Sequence, residues 1–486
     1  MKKLNALFAG VILAMALLAQ NVEGQSIPSP FDYVPGWHNW KPGYGEPAPG
    51  EGNHDYPEFK DNGAILIPDT SLSKSRTGDE FHTNFNILFL ADTTTSNPSG
   101  LTPAEIRSVY NLPSTGGSGI IAIVDAYHYP TSLKDFNVFA NEFGLPVETS
   151  TNATASTNTV FQVVYANGRQ PTADGGWSQE AALDIEWAHA MAPKAKIVLV
   201  EAASSSLADL FQAITVASKI SGVKEISLSW GTSEFRTQTT YDSYFQAATT
   251  TTSSSTNNGP GNSGPGGFGP GNNGPAGFGP GSFNTKGVVA NSAATTTSST
   301  STIVYFAASG DTGGTVIYPG SSPYVVSAGG TTLNYNTSGA FVSETGWSGS
   351  GGGKSAYEAI PSYQSSISAL KTKLGNYRGI PDWSFNANPY SGVSVYDSTS
   401  YNGVSGWMVF GGTSVSSPAL AGIANLAATT RGSFSADSAT ELALIYKNLG
   451  TANFRDITSG TAGSYSCAAG WDFVTGVGST LGLTGK

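Results

Sequence analysis

The run Gly411-Gly412-Thr413-Ser414-Val415-Ser416-Ser417-Pro418, with the small apolar residues that follow it, constrains this chain more than any other stretch. A Gly-Gly turn enters a helical pattern rich in alanine and leucine that reaches about Thr429. Side chains this small and apolar predict a central, largely buried helix. Ser414 then lies in its first turn, where free backbone N–H groups and the positive end of the macrodipole stabilise a developing alkoxide or oxyanion. Pro418 cannot donate to the carbonyl of Ser414, so the turn around the serine is loosened. The pattern suits a serine nucleophile, which needs a base.

Histidine is a poor candidate for that base. The five histidines are His38, His54, His82, His128 and His189, and none lies in a His-Gly-Thr-His turn. His128 belongs to a strand-end loop, and His189 to an alanine-rich helix before Pro193. Carboxylates fit better. In Gly175-Gly176-Trp177-Ser178-Gln179-Glu180-Ala181-Ala182-Leu183-Asp184, Ser178 is the expected N-cap, and Glu180 and Asp184 share one helix face. Brought close in a buried site, two such acids hold one proton more tightly than either would alone. On spacing alone they could equally be two exposed acids of an acidic protein. A third acid, Asp311, follows the apolar strand pattern Val304–Ala308, at the strand end where chemistry collects in parallel α/β sheets. Alone, it reads as a turn residue satisfying backbone N–H groups.

Taken together and in order, these segments resemble the sedolisin family, the serine-carboxyl peptidases. The resemblance starts at Leu101-Thr102-Pro103-Ala104-Glu105-Ile106 and runs to about Gly482, interrupted by one insertion. It passes through Ile121-Ala122-Ile123-Val124-Asp125, the Glu180 and Asp184 helix, Ser229-Trp230-Gly231 and Ser309-Gly310-Asp311. It continues through Tyr318-Pro319-Gly320, Gly351-Gly352-Gly353 and Gly412-Thr413-Ser414 to Gly470-Trp471-Asp472. It implies that Ser414 is the nucleophile, Glu180 its general base and acid, Asp184 the residue that orients Glu180, and Asp311 a protonated donor to the oxyanion. Asp125 and Trp230 match positions that support the acid pair from behind. An aspartic acid donates only while it holds its proton, so activity is expected in acid.

The same resemblance implies one bound Ca2+ near the C-terminus. Asp456 and Asp472 would supply carboxylates, and Ile457, Ala468 and Gly470 carbonyls, an all-oxygen set suited to a hard cation. Position 468, commonly glycine in the family, is alanine here. That matters only if the backbone needs a positive φ.

Composition bounds the rest. An apolar run from about Leu7 to Leu18 after Met1-Lys2-Lys3 reads as a secretory signal over residues 1–24, too short for a stable span. The expected location is therefore secreted, extracellular or periplasmic. Cys467 is the only cysteine, so no disulfide forms within the chain. With 34 acidic against 23 basic residues, the net charge is −11 and nucleic acid is an unsuitable partner. Residues 25–98 read as a short pro-segment or a retained arm, and 99–486 as the peptidase domain. A Gly/Pro/Ser/Thr insertion at about 249–302 carries a ten-residue repeat that cannot bury a core.

Apolar strands at Ile120–Asp125, Ile197–Val200 and Ile226–Ser229 alternate with helical patterns at Pro103–Tyr110 and Leu207–Ser218. The expected fold is α/β, subtilisin-like, with a mainly parallel central sheet flanked by helices. The expected function is a monomeric, acid-active serine-type endopeptidase acting on polypeptides. A tripeptidyl-peptidase of the same family, or a catalytically dead exported binding protein on the same fold, stays open.

Overall fold

Runs of β-branched and small apolar residues buried on both faces can form only the inner strands of a covered parallel sheet. The computed structural model describes residues 37–40, 63–72, 79–90, 97–246, 303–401 and 403–486. The expected signal (1–24) lies outside them, as does the expected insertion (249–302). Across the large sheet the strands run Phe161–Tyr165, Lys196–Ala202, Ile120–Ala126, Val223–Leu228, Val304–Ala308, Val326–Tyr335, Trp383–Asn386 and Ser479–Thr480, all parallel to their neighbours. Phe454–Arg455 closes one edge antiparallel, and Phe341–Gly346 pairs antiparallel with Val326–Tyr335. The α/β expectation holds, with strand and helix bounds shifted by a few residues.

Alternation along the Ile120–Ala126 strand separates two cores. Ile121 and Ile123 join one that includes the helices Gly175–Met191 and Thr413–Arg431, while Ala122 and Val124 join another with Leu207–Ala217. Gly175–Met191 is here called the acid helix and Thr413–Arg431 the serine helix. They pack closely because Gly422 has no side chain: a Cβ there would stand 2.7 Å from the Met191 Cβ and 2.9 Å from the Ala188 carbonyl oxygen.

The acid helix begins earlier than the sequence pattern predicts. Asp174, not Ser178, is its N-cap: its backbone is extended and its carboxylate accepts from the Trp177 N–H at 2.9 Å. The two glycines therefore lie inside the first turn, and the Ser178 hydroxyl donates back to the Asp174 carbonyl at 2.8 Å.

A second, antiparallel sheet is built in the order Trp37–Trp40, Gly63–Pro68, Asn86–Leu90, Val404–Gly411, Val393–Tyr401. Its Val404–Gly411 strand leads directly into the serine helix. The N-terminal strands are thereby attached next to Ser414.

One buried ion pair braces the region before the Trp383–Asn386 strand. Arg378 and Asp382 are both fully buried and paired twice, at 2.8 and 2.5 Å. Asp382 also accepts from the Ser327 N–H at 2.8 Å and the Tyr446 hydroxyl at 2.7 Å. Removing only the cation strands a buried carboxylate. Arg378→Met is expected to lower the unfolding free energy by about 3–5 kcal/mol, read from denaturant titration against wild type.

Candidate active site

The serine helix starts at Thr413, after Gly412, whose φ of 109° suits only glycine. Ser414 is fully buried. Its hydroxyl donates to the Ser229 carbonyl at 3.0 Å and accepts from the Asn84 N–H at 3.2 Å. The Ser414 carbonyl, which Pro418 cannot serve, is taken instead by the Ser229 hydroxyl at 3.3 Å. The proline thus frees an acceptor that ties the Ser414 turn to the end of the Val223–Leu228 strand.

Glu180 and Asp184 project from the acid helix into the same buried region, and both are fully buried. None of their four oxygens makes a well-formed hydrogen bond. Desolvation is the main force holding both carboxyls well above their ordinary range, and Asp125 adds repulsion to each. The Ser414 hydroxyl and the Asn84 N–H lie near enough to Glu180 to favour its charged form, and Ser229 does the same for Asp184. Asp125, at the end of the Ile120–Ala126 strand, is pushed up to about 8 by burial and then by Glu201. Trp230 donates its indole N–H to the Val124 carbonyl at 2.7 Å, bracing the backbone just before Asp125.

Asp311 approaches from the loop after Val304–Ala308. Its Oδ1 accepts from the Thr413 N–H and hydroxyl, both at 2.8 Å, and its Oδ2 from the Asn86 side chain at 3.1 Å. Burial raises its pKa to about 7, against the pull of Thr413. The Ser414 N–H points at the Asn84 carbonyl at 3.0 Å. That carbonyl oxygen and Asp311 Oδ2 lie against one face of Gly412, 2.3 and 2.5 Å from where a Cβ would stand. Ser414, Glu180, Asp184 and Asp311 are therefore brought together, with a backbone N–H and a carboxyl facing one carbonyl oxygen.

The histidines whose side chains are described are engaged elsewhere. His189 packs on Phe136 and pairs with the Pro146 carbonyl at 2.8 Å, and burial lowers its pKa to about 4. His128 pairs with Glu201 at 2.8 Å, and His82 with the Thr83 carbonyl at 3.0 Å. Sequence reasoning missed Asn84, Asn86 and the anchoring hydroxyl of Thr413. The signal for the first two was the alternation of Phe81, Thr83, Phe85 and Ile87, all buried, which marks a strand.

The five expected calcium ligands meet around one loop. Asp456 accepts from the Gly470 N–H at 3.0 and 3.2 Å, and Asp472 from the Ala468 N–H at 3.0 Å. Among the described residues, no hydrogen bond is made to the carbonyls of Ile457, Ala468 or Gly470. Gly470 has φ 81°, whereas Ala468 does not have a positive φ, so alanine there costs nothing. The donor set fits a hard cation. The described residues contain no group of three or more His, Cys, Asp or Glu side chains that could hold a metal, so any ion here would depend on carbonyls.

No family model matches the chain. Its sequence is similar to sedolisin from Pseudomonas sp. (strain 101), 33% identical over 180 residues that make up 34% of this chain and 29% of that protein. It is also similar to kumamolisin from Bacillus sp. (strain MN-32), 28% identical over 427 residues, 81% of this chain and 64% of that protein. The chain thus spans less than two thirds of the length of these relatives. A solved Pseudomonas sedolisin, a serine-carboxyl proteinase complexed with two molecules of pseudo-iodotyrostatin, matches with a TM-score of 0.57 at 23% identity, covering 79% of this chain and 96% of that one. That likeness is one of fold, and the fold is the α/β, subtilisin-like one. In sequence the chain is similar to these sedolisin-type peptidases, and it shares the fold of the solved one.

The acids of this region make stability depend on pH with a definite sign. Asp311 and Asp125 have folded pKa values of about 7 and about 8, above the roughly 4 of an unfolded aspartate. Their contribution is complete below pH about 4 and is lost as pH rises through 7 and 8. His189 acts in the opposite sense, losing stability as pH falls from about 6.5 towards 4. Burial also lowers the pKa of His82, so two histidines stand against several raised carboxyls. The melting temperature is expected to fall between pH 5 and pH 8, read by calorimetry on Ser414→Ala protein to prevent self-digestion.

Proposed function

We propose that the chain is a secreted, acid-active serine-carboxyl endopeptidase that hydrolyses polypeptides. The observation that carries this reading is the meeting of Ser414, Glu180 and Asp311 at the start of a buried helix, with the described histidine side chains engaged elsewhere. Ser414 Oγ attacks the substrate carbonyl carbon while its proton passes to Glu180. The oxyanion takes hydrogen bonds from the Ser414 N–H and from protonated Asp311. Glu180 returns the proton to the leaving nitrogen, and the C–N bond breaks to leave an acyl ester. Water then adds by the same proton path and releases the acid. Asp184 orients Glu180, and Asp125 supports the pair, so the coupled acids give up one proton first and retain the others. Glu180 is assigned as the group to ionise because it is the acid beside the Ser414 hydroxyl and the Asn84 N–H, which offset part of the desolvation that raises it.

The endopeptidase reading is favoured by the path of residues 81–90, which pass Ser414 on both sides and pair with strands beyond it in each direction. A site that accommodates chain both before and after the serine is not closed to internal bonds. Secretion is proposed from the N-terminal apolar run; among the described residues no helix is long and apolar enough to cross a membrane.

Activity on a denatured protein is expected below neutrality, falling as pH rises through about 7, where Asp311 loses its proton. Ser414→Ala should lower the rate by roughly 10⁶-fold, and Asp311→Ala by about 10²–10³-fold. A profile peaking at alkaline pH would contradict the roles of Glu180 and Asp311.

One Ca2+ held by Asp456, Asp472 and the carbonyls of Ile457, Ala468 and Gly470 is part of the proposal, supported by three carbonyls free of internal donors. The ion would brace the C-terminal loop. A hundredfold excess of Ca2+ over Kd should then stabilise by about 2.7 kcal/mol. Chelation is expected to lower the melting temperature of wild type but not of Asp456→Ala.

A further inference from the structure

Asp125 competes with Glu180 for the charge of the buried acid cluster. It is buried, and neither of its carboxyl oxygens has a hydrogen-bond partner. Alternation along its strand puts it on the side of Ile121 and Ile123, the side that shares a core with the acid helix. The neighbouring strand Lys196–Ala202 runs parallel, with Glu201 in register with Asp125. Ile197 and Leu199 belong to the same core as Ile121 and Ile123, so Glu201 stands on the same side of the sheet as Asp125.

Glu201 is buried too, but unlike Asp125 it is engaged at both oxygens. Its Oε1 accepts from the Tyr129 N–H at 3.1 Å, and its Oε2 meets His128 Nδ1 at 2.8 Å. The His128 side chain reaches solvent, 12% exposed, and lines an open cavity with Pro130, Thr131, Lys134 and Tyr165. Burial raises the Glu201 carboxyl above its ordinary range, while His128 and the Tyr129 N–H favour its charge. The titratable groups facing this pair are Asp125 from one neighbouring strand and Tyr165 from the other, with Lys134 lining the same cavity. The Tyr165 ring stands edge-on to the imidazole, with centres 5.8 Å apart. Those facing Asp125 are Glu201 beside it and Glu180 and Asp184 from the acid helix.

We infer that Glu201, held by His128, is a positioning residue of the peptidase reaction: it keeps the proton on Asp125 and so places the cluster's one charge on Glu180, beside Ser414. The inference rests on the peptidase reading above. Coupled carboxyls give up one proton at a time, and the charge settles where it is least opposed. A like charge on one side of the cluster drives it to the other. Glu201 supplies that charge next to Asp125, whereas the Ser414 hydroxyl and the Asn84 N–H favour charge on Glu180. His128 keeps Glu201 ionised, because a buried carboxylate needs a partner for its charge. The Asp125 proton then stays in place through the reaction, and only Glu180 passes a proton to and from Ser414.

The test compares the full chain as wild type, Glu201→Gln, His128→Asn and the double variant on a peptide that wild type cleaves, across about pH 2 to 8, the range of carboxyl and imidazole titration. The acid limb of kcat/KM reports the ionisation of the base in the free enzyme. In Glu201→Gln, Asp125 ionises first and Glu180 must ionise beside that charge. The acid limb is therefore expected to move to higher pH by about one pH unit, with kcat/KM about tenfold lower on that limb. The loss should lie in kcat, with KM unchanged. His128→Asn keeps a hydrogen-bond donor but not the charge, and should move the limb the same way by less. The double variant should match Glu201→Gln alone, since His128 acts only through Glu201. Calorimetry shows which variants are folded, and His128→Asn, at the partly exposed position, carries the test if Glu201→Gln does not fold.

Loss of a negative charge that acted on all the acids alike would lower the pKa of each and move the limb to lower pH. That result would overturn the inference and leave the peptidase reading standing. So would a lower rate with an unmoved limb, which is the mark of a purely structural role, or a double variant whose shift is the sum of the two single ones. A folded wild-type chain that cleaves no polypeptide at any pH would overturn both.

Discussion

Carboxyl groups buried around Ser414 with no cation to neutralise them are the constraint on which the rest of this structure depends. Glu180, Asp184 and Asp125 are almost completely buried, and Asp311 is held against Gly412. Among the described residues no lysine or arginine forms an ion pair with any of them. Isolated charges of this kind are too costly to bury, so the acids remain largely protonated. A carboxylic acid that keeps its proton is able to donate a hydrogen bond, which an ionised carboxylate cannot do. The same burial that raises these pKa values also keeps water away from these carboxyl groups.

Holding such a cluster requires backbone that comes very close. Gly422 lets the serine helix and the acid helix approach, and Gly412 leaves room for a carbonyl oxygen and a carboxyl oxygen beside Ser414. Pro418 frees the Ser414 carbonyl for the Ser229 hydroxyl. These three residues come from one helix and the turn before it. They account for why that helix is built from small side chains.

The segment at Asn84 couples this site to the N-terminal part of the chain. One side of it extends the short sheet at Trp230–Ser233, and the other becomes an inner strand of the sheet that leads into the serine helix. Of the two residues that hydrogen-bond the Ser414 hydroxyl, Ser229 and Asn84, the second thus lies 330 positions earlier in the chain. The aromatic contacts of Phe81 and Phe85 fix the register, because a slip by one residue would turn both rings out of their pockets.

The serine turn, the parallel strands and the shared face of Glu180 and Asp184 were legible because each is a local pattern: a Gly-Gly turn, runs of apolar residues, a spacing of four. The cap of the acid helix was misread because Ser178 and Asp174 are both good capping residues, and only the backbone conformation chooses between them. Whether Glu180 and Asp184 were solvated or buried was not legible, since helical spacing is the same in either case and burial depends on the serine helix packed against them. The place of Asn84 was hidden for the same reason: its alternating neighbours specify a strand, but strand pairing at long sequence separation is decided by which sheet edges the folded core leaves open. By itself, then, the sequence determined the elements and the residues able to do chemistry. The tertiary structure alone decided which of them lose their water, and so which carboxyls keep their protons, and which segment of the chain lies across the serine.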